Sequence, residues 1–182
     1  MLRIALFSLA CLLAVPASGE PLVPADFDVP EVLETDRIRL RILTVNDVVR
    51  DYDAVVSSTD HLQATFSNSS WPIGLSLEQN LIDLGWHQKE FQQRTSFAYT
   101  VVSLDEDRVL GCVYINPFKI GGYDAIARMW VRTDMLDAGL DQHLYETVKK
   151  WLAEEWPFDK VAYPRRDLPL DAYNKLRNQQ KD

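Results

Sequence analysis

The most suggestive chemistry in this sequence is a place where an anion could bind, at the start of a helix that follows a strand. The pattern predicts a strand over Ala125–Arg132, a loop over 133–139 and an amphipathic helix from about Leu140 to Trp156. The first N–H groups of a helix have no acceptor within the helix and carry the positive end of its dipole, so they suit phosphate. Two carboxylates, Asp137 and Asp141, lie at this terminus and oppose such binding. The strength of the site therefore depends on those two side chains.

Other catalytic arrangements receive little support. The sequence has no Ser-His-Asp spacing and no glycine-rich phosphate loop of the Walker type. His61 and His143 lie in different predicted elements without the paired spacing of metal ligands, so no metal site is predicted. Cys112 lies in the apolar run 109–115, where a buried, unreactive thiol is expected.

Composition predicts one globular domain and excludes some partners. The chain has 182 residues, of which 47% are hydrophobic and 25% charged, as expected for a single domain with a sizeable core. It carries 19 Lys and Arg against 27 Asp and Glu, a net charge of −8. This balance argues against nucleic acid or anionic lipid as the main partner, and it disfavours a polyanionic cofactor unless positive charge is gathered locally.

The N-terminus predicts export. Arg3 is followed by an apolar run over 4–15 that is too short to span a membrane, and then by the small residues Ala17, Ser18 and Gly19. We therefore expect residues 1–19 to be a cleaved signal peptide, residues 20–33 an extended leader and residues 34–182 a single domain. The mature protein would be periplasmic or secreted, with no stable membrane association. An uncleaved anchor, or a mis-annotated start that leaves the protein cytoplasmic, are the alternatives.

The elements that must position these residues follow from hydrophobic periodicity. Alternation predicts a strand over 37–43 with Ile38, Leu40 and Ile42 pointing inward, and a capping box at Ser76 starts a helix at Leu77. Further strands are expected over 97–103, 108–116 and 158–163, helices after Thr44 and over 171–177, and a loop or broken helix over 57–72. The result is an α+β fold, a mixed but mainly antiparallel twisted sheet flanked by helices in three layers.

Two of these helices have apolar stripes that are predicted to face the core. The stripe of the first helix consists of Val48, Val49, Tyr52, Val55 and Val56, and that of the second of Leu77, Leu81, Leu84 and Phe91.

The order of elements resembles the GNAT-type acyltransferases, over about residues 34–177. The strand that begins at Ile38 and the helix start at Thr44 are similar to the family's opening elements, and Gly111 in its apolar strand resembles the central strand. Trp130-Val131-Arg132, then Gly139-Leu140, then Leu144 and Trp151 have the spacing of the family's strand, pyrophosphate loop and helix. Tyr173-Asn174-Lys175-Leu176 resembles a Tyr-Glu-Lys-Leu run in its last helix.

The resemblance implies acetyl-CoA as cofactor, but the loop departs from the family pattern. That pattern is Gln/Arg-x-x-Gly-x-Gly/Ala, and here only Gly139 matches it, because Leu136 and Asp141 replace the other two defining residues. A carboxylate about 4 Å from a phosphate repels it by roughly 4 kcal/mol at an effective dielectric of about 20, on the order of a thousandfold in affinity. Cofactor binding is therefore expected to be weak or absent. The residues that the resemblance assigns to the cofactor are Val131, Arg132, Leu136, Asp137, Ala138, Gly139, Leu140 and Asp141.

The resemblance also implies catalytic candidates. Tyr173 matches the position of a general acid that protonates the leaving thiolate, and His87 or Glu90 is a candidate general base. Each has a plainer interpretation, since Tyr173 could simply pack on a short helix and His87 could be a solvated or capping residue.

Two functions remain open at this point. The first is an N-acetyltransferase that moves an acyl group from acetyl-CoA to a small-molecule or protein amine. The second is a non-catalytic exported protein that binds a small ligand or a protein through the family's cleft or an open sheet edge. The resemblance also implies a closing strand after the last helix, and only residues 178–182 follow that helix here. We therefore expect an open sheet edge, with a possible dimer through it.

Overall fold

A six-stranded twisted sheet forms the centre of the molecule. The computed structural model describes residues 19–66 and 70–179, so residues 1–18 of the predicted signal lie outside the described part. The strands are β1 Val32–Glu34, β2 Arg39–Ile42, β3 Phe97–Val102, β4 Val109–Pro117, β5 Ala125–Val131 and β6 Val161–Ala162. The helices are α1 Val48–Val56, α2 Thr59–Thr65, α3 Leu77–Gln92, α4 Leu140–Glu155 and α5 Leu170–Gln179.

The sheet order follows the chain from β1 to β6, and every neighbouring pair is antiparallel except β5 and β6. The predicted α+β class, the mainly antiparallel sheet and the parallel placement of β6 are confirmed. The edge strand β1 was not predicted. It crosses the predicted boundary between the leader and the domain. Within the leader, Leu22 and Val23 are buried in the core, and Arg94 donates hydrogen bonds to the carbonyls of Pro24 and Phe27.

The two faces of the sheet carry different layers. Helix α4 buries its predicted stripe on one face, and the side chains that it buries are Leu140, Leu144, Val148, Trp151 and Leu152. Helices α1, α2 and α3 cover the other face, around Trp130 and Cys112. Helix α5 packs on a third, smaller cluster beside β6 that includes Phe118 and Ile126. Within the described residues no helix is long and apolar enough to cross a membrane.

The predicted stripes of α1 and α3 are only partly correct. On α1, Val49 and Val56 are exposed, whereas Asp51 is buried. On α3, Leu77 and Leu81 are exposed, and the buried residues are Asn80 and Leu84. Both helices turn a polar side chain toward the sheet, and both of those side chains reach the same cleft.

Gly111 is required where β4 approaches β5. A Cβ atom at this position would lie 2.0 Å from the carbonyl oxygen of Trp130, well inside van der Waals contact. The close approach aligns β5 with β4 up to Val131, where the chain leaves the sheet for α4.

Candidate functional site

The sheet opens between β5 and β6. Strand β6 pairs with β5 only at Ala125 and Ile126. The N–H of Arg132 donates to the carbonyl of Leu110 on β4, and bonds alternate along an antiparallel ladder, so the backbone groups of Met129 and Val131 point away from β4. In the described structure no strand pairs with them on that side. The second half of β5 is therefore an open backbone edge that leads to the start of α4.

A cleft of about 920 Å³ lies on the α1–α3 side of the sheet and extends to α5. The predicted residues that line it are His87, Asp141 and Tyr173. The arginines that line it are Arg128, Arg165, Arg166 and Arg177, and the carboxylates are Asp51, Asp83 and Asp141. The charged side chains of the cleft thus have a slight positive excess, four arginines against three carboxylates, in a chain whose net charge is negative.

The N-terminus of α4 is formed as the anion-site pattern requires. Gly139 is its N-cap residue, with φ 68° and ψ 22°, a left-handed conformation that glycine adopts without steric penalty. Leu140 is buried, Asp137 and Ala138 are exposed, and the Ala138 carbonyl accepts a 2.8 Å hydrogen bond from Arg37. The helix start is therefore fixed on its outer side.

Two residues assigned to the cofactor have structural partners instead. Arg132 is 8% exposed and forms ion pairs with Asp53 at 2.7 Å and Asp134 at 3.4 Å. Leu136 packs against the core cluster under α4. Neither residue lines the cleft.

The carboxylate of Asp141 forms an ion pair. One guanidinium nitrogen of Arg166 lies 2.6 and 2.7 Å from its two oxygens. The guanidinium of Arg166 also lies 5.2 Å from the centre of the Tyr145 ring, and the Tyr145 hydroxyl is hydrogen-bonded to Asp167. The repulsion expected from the sequence assumed an unpaired Asp141, and this assumption was wrong because Arg166, 25 residues further on, neutralises it.

His87 and Tyr114 form a second group in the cleft. Their ring centres are 5.2 Å apart, and the Tyr114 hydroxyl accepts a 3.3 Å hydrogen bond from the indole of Trp130. Burial lowers the pKa of His87, against the opposing effect of Glu90 and Asp83. The imidazole is therefore neutral at neutral pH and able to accept a proton.

Glu90 lies behind His87. Its carboxylate is 3.7 Å from the Nδ1 atom of His87 and accepts a 2.8 Å hydrogen bond from Ser96. It does not line the cleft. Its position suits orientation of the imidazole rather than contact with a substrate.

Tyr173 reaches the cleft from α5. Its ring packs against Phe118 with 6.0 Å between ring centres, and its N–H donates to the Pro169 carbonyl at 2.9 Å. The structure thus brings Tyr173, His87 and Asp141 to one cleft, although they lie on three different helices.

A buried polar network at the cleft was not predicted. The carboxylate of Asp51 accepts hydrogen bonds from the Asn80 amide at 2.9 Å and from the Cys112 thiol at 3.4 Å. Asp51 and Asn80 are each 3% exposed, and Cys112 is fully buried. One signal in the sequence could have revealed Asp51, because it is an acidic residue one turn before Val55 on the buried stripe.

Comparison with solved structures identifies the fold. A ribosomal-protein-S5-alanine acetyltransferase from Vibrio fischeri is 13% identical, with a TM-score of 0.61 over 84% of this chain and 81% of that one. The ribosomal alpha-N-protein acetyltransferase RimL in complex with coenzyme A is 14% identical, with a TM-score of 0.58 over 82% of each chain. The microcin C7 self-immunity acetyltransferase MccE, in complex with acetyl-CoA and AMP, is 11% identical, with a TM-score of 0.56 over 69% of this chain and 68% of that one.

These similarities show that the chain has the fold of the GNAT-type acetyltransferases, as the sequence predicted. No protein-family model matches the sequence, and no curated protein matches it.

Proposed function

We propose that this protein transfers an acyl group from an acyl-CoA thioester to an amine. The observation that carries the proposal is the ion pair between Asp141 and Arg166, which removes the charge that would repel a phosphate from the start of α4. The other arginines of the cleft add attraction, and the net result is a local environment suited to an anionic donor.

The residues of the donor end fit such a molecule. The N–H groups of the first turn of α4 and the guanidinium of Arg166 are suited to phosphate oxygens. The backbone groups of Met129 and Val131 offer an open strand edge to amide groups along the donor. Bound acyl-CoA would supply an acyl group activated as a thioester.

The acceptor end supplies the proton transfers. Neutral His87 accepts a proton from the attacking amine, and Glu90 orients its ring. The hydroxyl of Tyr173 donates a proton to the departing sulfur. Because the nucleophile is the amine itself, the buried thiol of Cys112 has no role as a nucleophile.

Calorimetric titration of the protein with acetyl-CoA tests the donor assignment. We expect a dissociation constant in the micromolar range and much weaker binding of pantetheine, which lacks the phosphates. Absence of binding at millimolar acetyl-CoA would overturn the proposal.

The non-catalytic alternative differs in one measurable respect. A binding protein would take up ligand without releasing free thiol from acetyl-CoA in the presence of amines. An assay of thiol release with a panel of amines therefore separates the two functions once binding has been measured.

Export is a separate proposal that follows from the predicted signal alone. It creates a conflict with an acyl-CoA donor, because such donors are made in the cytoplasm. A fusion of residues 1–25 to a reporter that is active only after export would show activity if the signal functions. An inactive reporter would indicate that the protein stays in the cytoplasm, where its donor is made.

A further inference from the structure

Asp51 is a buried carboxylate without a cationic partner in the described structure. It is 3% exposed, and its hydrogen-bond donors, the Asn80 amide and the Cys112 thiol, are both neutral. Asp47, one turn earlier, is as deeply buried, but Arg41 pairs with it at 2.7 Å. The fold therefore places a guanidinium on one of these two carboxylates and leaves the other facing the cleft.

A buried carboxylate of this kind is unfavourable unless a cation reaches it. Burial, together with the nearby carboxylates of Asp47 and Asp83, raises the pKa of Asp51. An arriving cation would relieve the same unfavourable electrostatics, so the site is poised for a positive ligand.

The surroundings of Asp51 suit an organic cation rather than a metal ion. Trp71 and Tyr114 line the same cleft, and the Trp71 ring is 5.8 Å from Phe66 and 6.5 Å from Trp130. Aromatic faces attract ammonium groups. The described residues contain no group of three or more potential ligands that could hold a metal ion.

The acceptor base lies further along the same helix. Asn80, which holds Asp51, and His87 are seven positions apart on α3 and both line the cleft. Seven residues of α-helix span about 10 Å. If a ligand bonds at both ends over about 3 Å each, its two nitrogens are about 4 Å apart when the bonds lie along the helix axis, and further apart when the bonds are inclined to it. A short aliphatic chain covers that distance.

We propose that the amine acceptor is a small aliphatic diamine, whose distal ammonium is held by Asp51 among the aromatic side chains while its other nitrogen meets His87. This inference rests on the proposed acyltransferase function. In the reaction the uncharged nitrogen forms a bond to the acyl carbon, and the carbon–sulfur bond breaks. His87 takes the proton from nitrogen, Tyr173 gives one to sulfur, and the products are a monoacylated diamine and a free thiol.

The test compares 1,4-diaminobutane with butylamine, which has the same chain but no second cation, in the thiol-release assay. In the unchanged protein we expect kcat/KM to favour the diamine by about 10- to 100-fold. In Asp51→Asn this preference should fall to near unity while acetyl-CoA affinity is unchanged. Asp60→Asn removes an exposed carboxylate of α2 and is the matched control, which should retain the preference.

The outcomes separate this inference from the proposed function. If acetyl-CoA binds and butylamine reacts as well as the diamine, the diamine subsite is wrong and the acyltransferase function stands. If acetyl-CoA does not bind, calorimetric titration with the diamine alone tests the subsite. Diamine binding that is lost in Asp51→Asn supports the subsite, and equal binding of the diamine by the unchanged protein and by Asp51→Asn overturns it. The comparison of the two amines in the unchanged protein needs no variant, so a folding defect in Asp51→Asn would leave it valid.

Discussion

Two carboxylates in one cleft have opposite surroundings, and the contrast describes how the site is divided. Asp141 is about one quarter exposed and paired with Arg166, whereas Asp51 is almost fully buried and has only neutral hydrogen-bond donors. At the donor end the protein supplies the cation itself, and an anion can then bind beside it. At the acceptor end the cation is left to the ligand.

The helices show the same division. Helix α4 contributes its N-terminus, where backbone N–H groups and Gly139 lie at the proposed donor end. Helices α1 and α3 contribute the cleft-lining side chains of Asp51, Asn80 and His87, which lie at the proposed acceptor end. Backbone groups are suited to phosphate, which all acyl-CoA donors share, while side chains are suited to selection among amines. Substitutions at each end should therefore affect different steps.

The largest effect is expected from His87→Gln. Loss of a general base lowers rates by about 10²–10⁴-fold, and kcat should fall by an amount in this range while acetyl-CoA affinity stays unchanged. In the unchanged protein kcat/KM should decline as pH falls through the lowered pKa of His87, below the usual 6.5, because the protonated ring accepts no further proton. A pH–rate profile of both proteins provides the measurement. Protonation of the amine lowers the rate of both proteins at low pH, so the inflection at the pKa of His87 is the diagnostic feature, and its persistence in His87→Gln would contradict the assignment.

Arg166→Ala should act at the other end. It leaves Asp141 unpaired at the start of α4, and the resulting repulsion of up to about 4 kcal/mol would weaken acetyl-CoA binding by up to about a thousandfold. Both side chains are about one quarter exposed, so solvent screening reduces this value. Calorimetric titration measures the change.

The matched control is the double variant Arg166→Ala with Asp141→Asn. Removing both charges should recover part of the affinity, since the unpaired carboxylate is the larger cause of the loss. If the single and double variants bind acetyl-CoA equally, Asp141 does not face the donor.

The sequence predicted the fold better than the site, for a physical reason. The alternation at Ile38 and Leu40 and the apolar face of α4 report burial against the sheet, and both are confirmed because apolar packing decides them. The alternation is wrong at Ile42, which is only half-buried, whereas the next residue is in the core. On α1 and α3 the same rule selected Val49 and Leu81, which are exposed. Those helices bury polar side chains at the cleft, and periodicity alone does not distinguish a polar residue that faces a site from one that faces water.

Ion pairs between residues far apart in the chain could not be predicted from the sequence either. Arg166 lies in the turn after β6, and nothing near it in the sequence indicates that it pairs with Asp141, 25 residues earlier. The position of Tyr173 in the cleft likewise depends on the packing of α5 against Phe118. The resemblance placed Tyr173 and His87 among the candidates, but only the tertiary structure brings them together.

A smaller effect, on stability, distinguishes the two carboxylates directly. Because the pKa of Asp51 is raised in the folded protein, the unfolded chain loses the carboxyl proton at lower pH than the folded protein does. The contribution of Asp51 to the free energy of unfolding therefore becomes unfavourable as pH rises through 3.8 and beyond. Asp51→Asn should therefore raise the free energy of unfolding at pH 7 by on the order of 1 kcal/mol, and by less at pH 4. Asp141→Asn should give no such gain because it breaks an ion pair. Urea unfolding at both pH values measures the difference, and equal effects of the two substitutions would refute the contrast.

An effect on stability of similar size is expected from the backbone at the proposed donor end. Gly139 has a φ of 68°, and a Cβ atom there meets nothing within 4 Å, so Gly139→Ala should lower the free energy of unfolding by about 1–2 kcal/mol through backbone strain alone. Gly139→Asn should lower it less, because asparagine tolerates the left-handed region. Gly74 has the same open surroundings and a φ of 71°, so Gly74→Ala is a control for strain elsewhere.

If phosphate approaches the start of α4, both Gly139 variants will weaken acetyl-CoA binding to a similar degree despite their different stabilities, whereas Gly74→Ala will not. Unchanged affinity in all three would place the phosphate away from this helix.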